Sequence, residues 1–302
     1  RHILDVLFEL SNVYIYAKTV KDFISALKQH KIVGEKTRLK PYMKPMNNDY
    51  NLEWHDKDFI ISLNENGNLN SVYSNIVANE RMGFIATQNG GGYTYFKNSR
   101  EYKITDWIND PIIDVPNEIL YVLDKKDRQV FSMTPYPKNK GSYKIINSQG
   151  SISYERQGDI FTKLKLFVST DKAVKYYKCQ IQNNTSEPKK IKVYYYLNPL
   201  LDSARKNCYK CNFQKNGNTI QFEGAFRNKN FEDTVIYINS SSPISSYTFS
   251  NLEFIGGGNL ANPDGFNKDK YSESCGQFKN GCILTSYDID LAPTETKEFC
   301  IT

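Results

Sequence analysis

Between Asn79 and Pro111 the chain gathers flat aromatic rings, Tyr93, Tyr95, Phe96 and Trp107, beside planar polar groups, Asn98, Arg100, Asn109 and Asp110. An aromatic face packs well against the C–H side of a pyranose, and amides, carboxylates and guanidinium groups pair with its hydroxyls. That chemistry is glycan contact. The competing reading of Tyr93 and Tyr95 is one face of a half-buried strand, because alternation with a period of two is ordinary strand grammar. Trp107 stands out further: a loop carrying an indole beside amides is costly to leave bare, so a cover is expected over it.

Other catalytic patterns are thin. A glycosidase needs two carboxylates roughly 5 to 10 Å apart across the bond it cleaves, and Asp110, Asp114 and Glu118 are the one acidic cluster that suits a test. Their competing reading is hydrogen bonding to turn amides beside Pro111 and Pro116. His2, His30 and His55 all precede residue 56 and no G-x-S-x-G is present, which disfavours a Ser-His-Asp arrangement. The glycine runs at 90–92 and 256–258 lack the Lys-Ser/Thr and helix start that a phosphate cradle requires, so both read as turns.

Six cysteines, at 179, 208, 211, 275, 282 and 300, are expected as free thiols in a chain without a secretion signal. Cys208 and Cys211 form a C-x-x-C, but Cys275 and Cys282 are too widely spaced for the second half of a zinc knuckle, and no metal site is expected. A net charge of +6 arises from 39 basic and 33 acidic residues with no block of like charge, which describes a solvated surface and not a nucleic-acid footprint. The small basic group Lys189, Lys190 and Lys192 alternates with apolar residues and reads as an exposed strand face. No apolar run reaches the roughly 18 to 20 residues that span a bilayer, and no charged-then-apolar leader is visible. The start at Arg1 reads as that of a fragment or processed piece.

The elements that must position these groups fall into two parts. Residues 2 to 32 keep apolar positions at helical spacing, with Thr19 placed to cap a second helix that Gly34 ends. A linker with Pro41 and Pro45 follows, which sets a boundary so that residues 1–45 are a helical extension and linker and 46–302 a separate domain. From there short apolar and β-branched runs, DFIISL, GFIAT, IKVYYYL, NTIQFEG, DTVIYIN and CILTSYDIDL, are separated by Asn, Gly, Ser and Pro turns. Many strands without intervening helices predict a mainly β fold, a large antiparallel sandwich with a short helical N-terminal extension.

The order of residues adds a resemblance. NGGGYTYFKNSREYKITDWINDP, then PNEILYVLD (116–124) and FSMTPYP (131–137), resembles the amino-terminal region of glycoside hydrolase family 94 (formerly glycosyltransferase family 36) proteins, whose pattern runs GYTW, NSRE, LTPW, NDP, GE, YLRDE and SPTP. Within it the chain is most similar to 1,2-β-oligoglucan phosphorylases and cyclic β-1,2-glucan synthases. The similarity continues through Gly150 to Gly158, Phe167 to Thr185, Asn251 to Asn259 and Ile289 to Phe299, covering about residues 70 to 302. Tyr95, Asp106 and Asn251 depart from the usual Trp, Pro and Asp.

The resemblance implies a galactose-mutarotase-like β-supersandwich followed by an (α/α)6 barrel that holds the catalytic acid and phosphate-binding groups. No catalytic residue therefore transfers to this chain, which is expected to lack turnover alone. Tyr95, Asn98, Arg100, Trp107, Asn109 and Asp110 are the residues expected to face substrate or barrel. The implied partners are a β-glucan oligosaccharide, the barrel of the same polypeptide and a second copy in a homodimer. Implied too are inorganic phosphate as the parent's co-substrate, with no other cofactor, and a bacterial cytoplasmic setting. The alternative from another class is a stand-alone glycan-binding module without an attached enzyme.

Overall fold

Strand alternation from Tyr50 onward becomes sheet in the computed structural model of the chain, which describes residues 49–302 apart from 66, 68, 70, 111–113, 204–209, 225–230, 232–233 and 280. The helices expected over 2–32, the linker, the boundary near residue 46 and Cys208 lie outside the described residues. Four antiparallel sheets account for nearly all regular structure. A seven-stranded sheet runs β1 (Tyr50–His55), β2 (Asp58–Leu63), β9 (Tyr143–Ser148), β10 (Ser151–Arg156), β11 (Ile160–Val168), β12 (Lys175–Asn183) and β21 (Thr296–Ile301). A five-stranded sheet orders β18 (Ser246–Ser250), β20 (Gly281–Leu291), β13 (Lys189–Leu197), β7 (Glu118–Asp124) and β8 (Val130–Ser132). A second five-stranded sheet orders β14 (Pro199–Asp202), β6 (Lys103–Thr105), β5 (Gly92–Phe96), β4 (Met82–Thr87) and β3 (Ser74–Ala78). The last holds β17 (Ile236–Asn239), β16 (Thr219–Gly224), β15 (Lys210–Asn216) and β19 (Gly276–Lys279).

Period-two patterning decides which faces meet. Ile145, Tyr154, Leu164, Cys179 and Ile181 of the seven-stranded sheet share one apolar cluster with Leu120, Val122, Val193, Tyr195 and Ile283 of the first five-stranded sheet, which makes the two a sandwich. Phe84 and Ile104, with Phe213 and Phe222, join the same cluster from the other two sheets. The unbroken run IKVYYYL of β13 has a different cause: the strand is covered on both sides. Its other face places Tyr194 and Tyr196 in a second cluster with Tyr121, Phe254, Phe266 and Tyr271. A one-turn helix α1 (Asn251–Phe254), capped by Ser250, and a 3-10 turn (Asp264–Asn267) supply Phe254 and Phe266 to that cover.

Packing on both faces of β13 corrects one expectation. Lys189 and Lys192 are buried, not exposed, and only Lys190 faces water. Lys189 pairs with Asp124 at 2.8 Å, and Lys192 donates to the Asp269 carbonyl at 2.9 Å within the covering segment. DTVIYIN is strand only from Ile236, whereas the other five runs form strands over most of their length. Cys179, Cys275, Cys282 and Cys300 are free thiols.

Candidate functional site

β4, β5 and β6 form a meander that displays the aromatic segment. On β5, Thr94 and Phe96 point into the molecule while Tyr93 and Tyr95 share the other face, as alternation requires. Trp107 leaves β6 on a short loop and stacks on Tyr93, with ring centroids 5.0 Å apart and planes at 21°. Tyr95 continues the row at 6.0 Å from Tyr93, and the Lys103 ammonium lies 5.8 Å from the Tyr93 ring centroid. The cover expected over Trp107 is thus partly its own sheet: Tyr93 shields one face of the half-buried indole, and Ile108 beside it is the bare apolar residue, at 65% exposure. The loop is anchored by Asn117, whose amide donates to the Asp106 carbonyl at 2.9 Å, and by the Asp106 carboxylate, which accepts from the Trp107 N–H at 2.9 Å.

The turn between β5 and β6 carries the polar members. Asn98 Oδ1 accepts from the backbone N–H groups of Arg100 and Glu101, both at 2.9 Å, so this oxygen shapes the turn. The Tyr93 hydroxyl donates to the Ser99 carbonyl at 3.1 Å and ties the turn to the stack. Arg100 is exposed, with a solvated Glu101 partner at 3.5 Å. Asn109 is exposed at φ 54°, a conformation Asn tolerates. The Asp110 carbonyl accepts from the Asp114 N–H at 2.9 Å. Tyr93, Tyr95 and Trp107 are brought together as one row; Asn98 and Arg100 stand on the turn linked to it through Ser99.

The three carboxylates do not form a hydrolytic pair of open groups. Asp114 is buried at φ 46° and accepts from the Thr87 hydroxyl at 2.6 Å. Burial pushes its carboxyl up from the usual range against the opposing hydrogen bonds from Thr87 and Asn89. The 90–92 glycine turn wraps this group: a methyl on Gly91 would lie 2.0 Å from Asp114 Oδ1, and Gly92, at φ 106°, would bring one 2.0 Å from the Ile85 carbonyl. The turn reading is therefore correct, and the group it encloses is the chain's own Asp114 carboxyl.

Glu118 overturns the expectation of turn amides. It opens β7 and accepts from four side chains: Thr94 Oγ1 at 2.5 Å and Thr105 Oγ1 at 2.7 Å on Oε1, and Tyr177 OH at 2.5 Å and Lys175 Nζ on Oε2. Burial acts to raise this carboxyl, but the Lys175 charge and the hydrogen bonds together hold it below the usual value. Lys175 is pulled down by burial against the attraction of Glu118. Burial and the Glu118 charge push the Tyr177 and Tyr195 phenols far up, so both are neutral. The Tyr154 hydroxyl, raised by burial and then by the charges of Asp114 and Glu118, donates to the Thr87 carbonyl at 2.6 Å.

Sequence reasoning missed Thr94, Thr105, Lys175 and Tyr177 in this cluster. A signal was present for two of them: Lys175 and Tyr177 share parity with Cys179 and Ile181 on β12, so a buried face for the last two carries the first two inward. His55 stands exposed at the β1–β2 turn, 3.6 Å from Asp56. Among the described residues no cluster of three or more His, Cys, Asp or Glu is gathered as for a metal.

Residues 57–302 match the family described as glycosyl hydrolase 94, supersandwich domain. A curated relative, the cyclic beta-(1,2)-glucan synthase NdvB of Rhizobium meliloti (strain 1021), is 25% identical over 197 residues. That match takes 62% of the chain and 7% of the synthase, so the chain spans a small part of this relative. Among solved structures, a putative kojibiose phosphorylase from the human microbiome aligns with 84% of the chain and 32% of its own, at 12% identity and a TM-score of 0.46. A putative aldose 1-epimerase from Escherichia coli K12 aligns with 76% of the chain and 97% of its own, at 9% identity and a TM-score of 0.44. The matched span takes in every described strand apart from β1, and on it the chain belongs to glycosyl hydrolase family 94, as a supersandwich domain with a carbohydrate-related role.

Proposed function

We propose that this chain is a non-catalytic carbohydrate-recognition and structural domain of a family 94 enzyme acting on β-1,2-linked glucans. The parent reaction is phosphorolysis to glucose 1-phosphate, with inorganic phosphate as co-substrate, or transglycosylation. The observation that carries the reading is the row of Trp107, Tyr93 and Tyr95 on one face of the β4–β6 meander, in which the half-buried Trp107 and Tyr95 flank a buried Tyr93, with Lys103 beside it and Asn98 and Arg100 on the adjoining turn. The Trp107 and Tyr95 rings, held in place by Tyr93, offer pyranose C–H faces a preformed platform, and the exposed Arg100 offers donors to hydroxyls. The relative's printed name supports the β-1,2 linkage. In the complete protein this face borders the substrate cleft of an (α/α)6 barrel, in a homodimer and in the bacterial cytoplasm.

Trp54→Phe leaves Trp107 as the sole indole, because the sequence holds two tryptophans. Titrating that variant with β-1,2-, β-1,3- and β-1,4-linked gluco-oligosaccharides, a saturable change in emission confined to the β-1,2 series is expected. Tyr95→Ala should weaken it about tenfold, the worth of one lost ring contact. A silent emission at millimolar sugar overturns sugar contact by this face.

A further inference from the structure

A cleft of about 420 Å³, open to solvent at one end, lies between strands of the four sheets and takes in none of Tyr93, Tyr95 and Trp107. Its walls are carbon: Met82, Phe96, Ile104, Leu197, Ile236 and Ile238. Its polar end is the Glu118 cluster, with Lys175, Tyr177 and Thr94, and its rim includes the exposed Ala173 and Tyr237. The cleft has room for about 14 waters at 30 Å³ each, and water along its aliphatic walls finds few hydrogen-bond partners, so an apolar body that displaces it gains.

The polar end restricts what enters. A carboxylate offers about four acceptor positions, and Glu118 has all of them occupied by Thr94, Thr105, Tyr177 and Lys175. It has no room for a ligand donor. An ammonium has three N–H donors, and Lys175 uses two, toward Glu118 and toward Thr94 Oγ1 at 2.9 Å. One N–H is left, over the Phe84 and Tyr177 rings at 4.4 and 4.7 Å. The ion pair is neutral as a unit, so a charged ligand would be desolvated without a counter-charge. A sugar would bury most of its hydroxyls against aliphatic walls without partners.

We infer that this cleft is a binding site for a small neutral amphiphile: an aliphatic or aromatic molecule of roughly ten to seventeen non-hydrogen atoms, sized to the space, with one acceptor oxygen on Lys175. The acceptor takes the remaining ammonium proton, and the body replaces water along Phe96, Leu197, Ile236 and Ile238. Entry lies past Ala173 and Tyr237.

The test uses the full chain and a neutral ketone fluorophore, 6-propionyl-2-(dimethylamino)naphthalene. Saturable, blue-shifted emission that 2-octanone displaces is expected, while octanoate and β-1,2-linked glucobiose fail to displace it. Ile236→Trp, which fills the wall, should abolish the response with the far-ultraviolet circular dichroism unchanged. The double variant Glu118→Met with Lys175→Met should weaken the ketone about tenfold, equivalent to one hydrogen bond, and leave 2-methylnaphthalene binding unaltered. Absence of saturable binding by the unaltered chain, displacement by the sugar or the carboxylate as readily as by the ketone, or full binding by the filled variant each overturns the inference. Should the double variant fail to fold, the filled variant and the competition series decide alone.

Discussion

The most consequential side chain in the interior is Glu118. A buried carboxylate without partners is costly, and this one is kept ionised by a lysine and three hydroxyls that come from β5, β6 and β12. Removing one member of such a pair leaves the other charge stranded. Glu118→Gln is therefore expected to destabilise the fold by about 3 kcal/mol at pH 7, read as a shift of the urea midpoint. The sign with pH follows from linkage: the folded carboxyl titrates below its ordinary value of 4.5, so its contribution is present above pH 4.5 and is lost as the pH falls through the folded value. The difference between wild type and Glu118→Gln should hold constant above that point and shrink below it; a gap that stays constant to pH 2.5 would show that the ionised form contributes nothing.

Elements, in this chain, are positioned by their turns as much as by their strands. The β4–β5 hairpin closes over Asp114 with no space for a Cβ at Gly91, so the turn and the loop before β7 are one unit. Gly91→Ala is expected to cost about 2 kcal/mol by overpacking, seen as a lowered thermal midpoint. Thr87→Val, which removes the hydroxyl that serves both Asp114 and the Gly91 N–H, should act in the same direction. A midpoint for Gly91→Ala within error of wild type would separate hairpin and loop.

At the scale of the molecule, two cores share the strands β7, β13 and β20. Phe254 is fully buried in the second core, against Tyr121, Tyr194, Tyr196 and Phe266, and owes its position to a single helical turn. Phe254→Ala is expected to cost about 3 to 5 kcal/mol and to raise amide exchange in β13 and the covering segment before it does so in β10 and β11. Uniform loss of protection across all sheets would mean that the cores unfold as one.

Fold class was legible because alternation, turn residues and the absence of helical spacing after residue 46 all agree with antiparallel sheet, and local preferences of that kind need no knowledge of partners. The outer aromatic row was legible too, since Tyr93 and Tyr95 share parity on one strand and Trp107 follows closely. What the sequence could not determine is who covers whom. Lys189 and Lys192 alternate like an exposed face, yet Lys189 is buried against Asp124 of β7 and Lys192 against the Asp269 carbonyl of the covering segment. Glu118 looked like a turn residue, yet meets Lys175 and Tyr177 from a strand on another sheet. Periodicity fixes which way a side chain points on its own strand; only the packing of sheets decides whether it meets water, a counter-charge or a cavity.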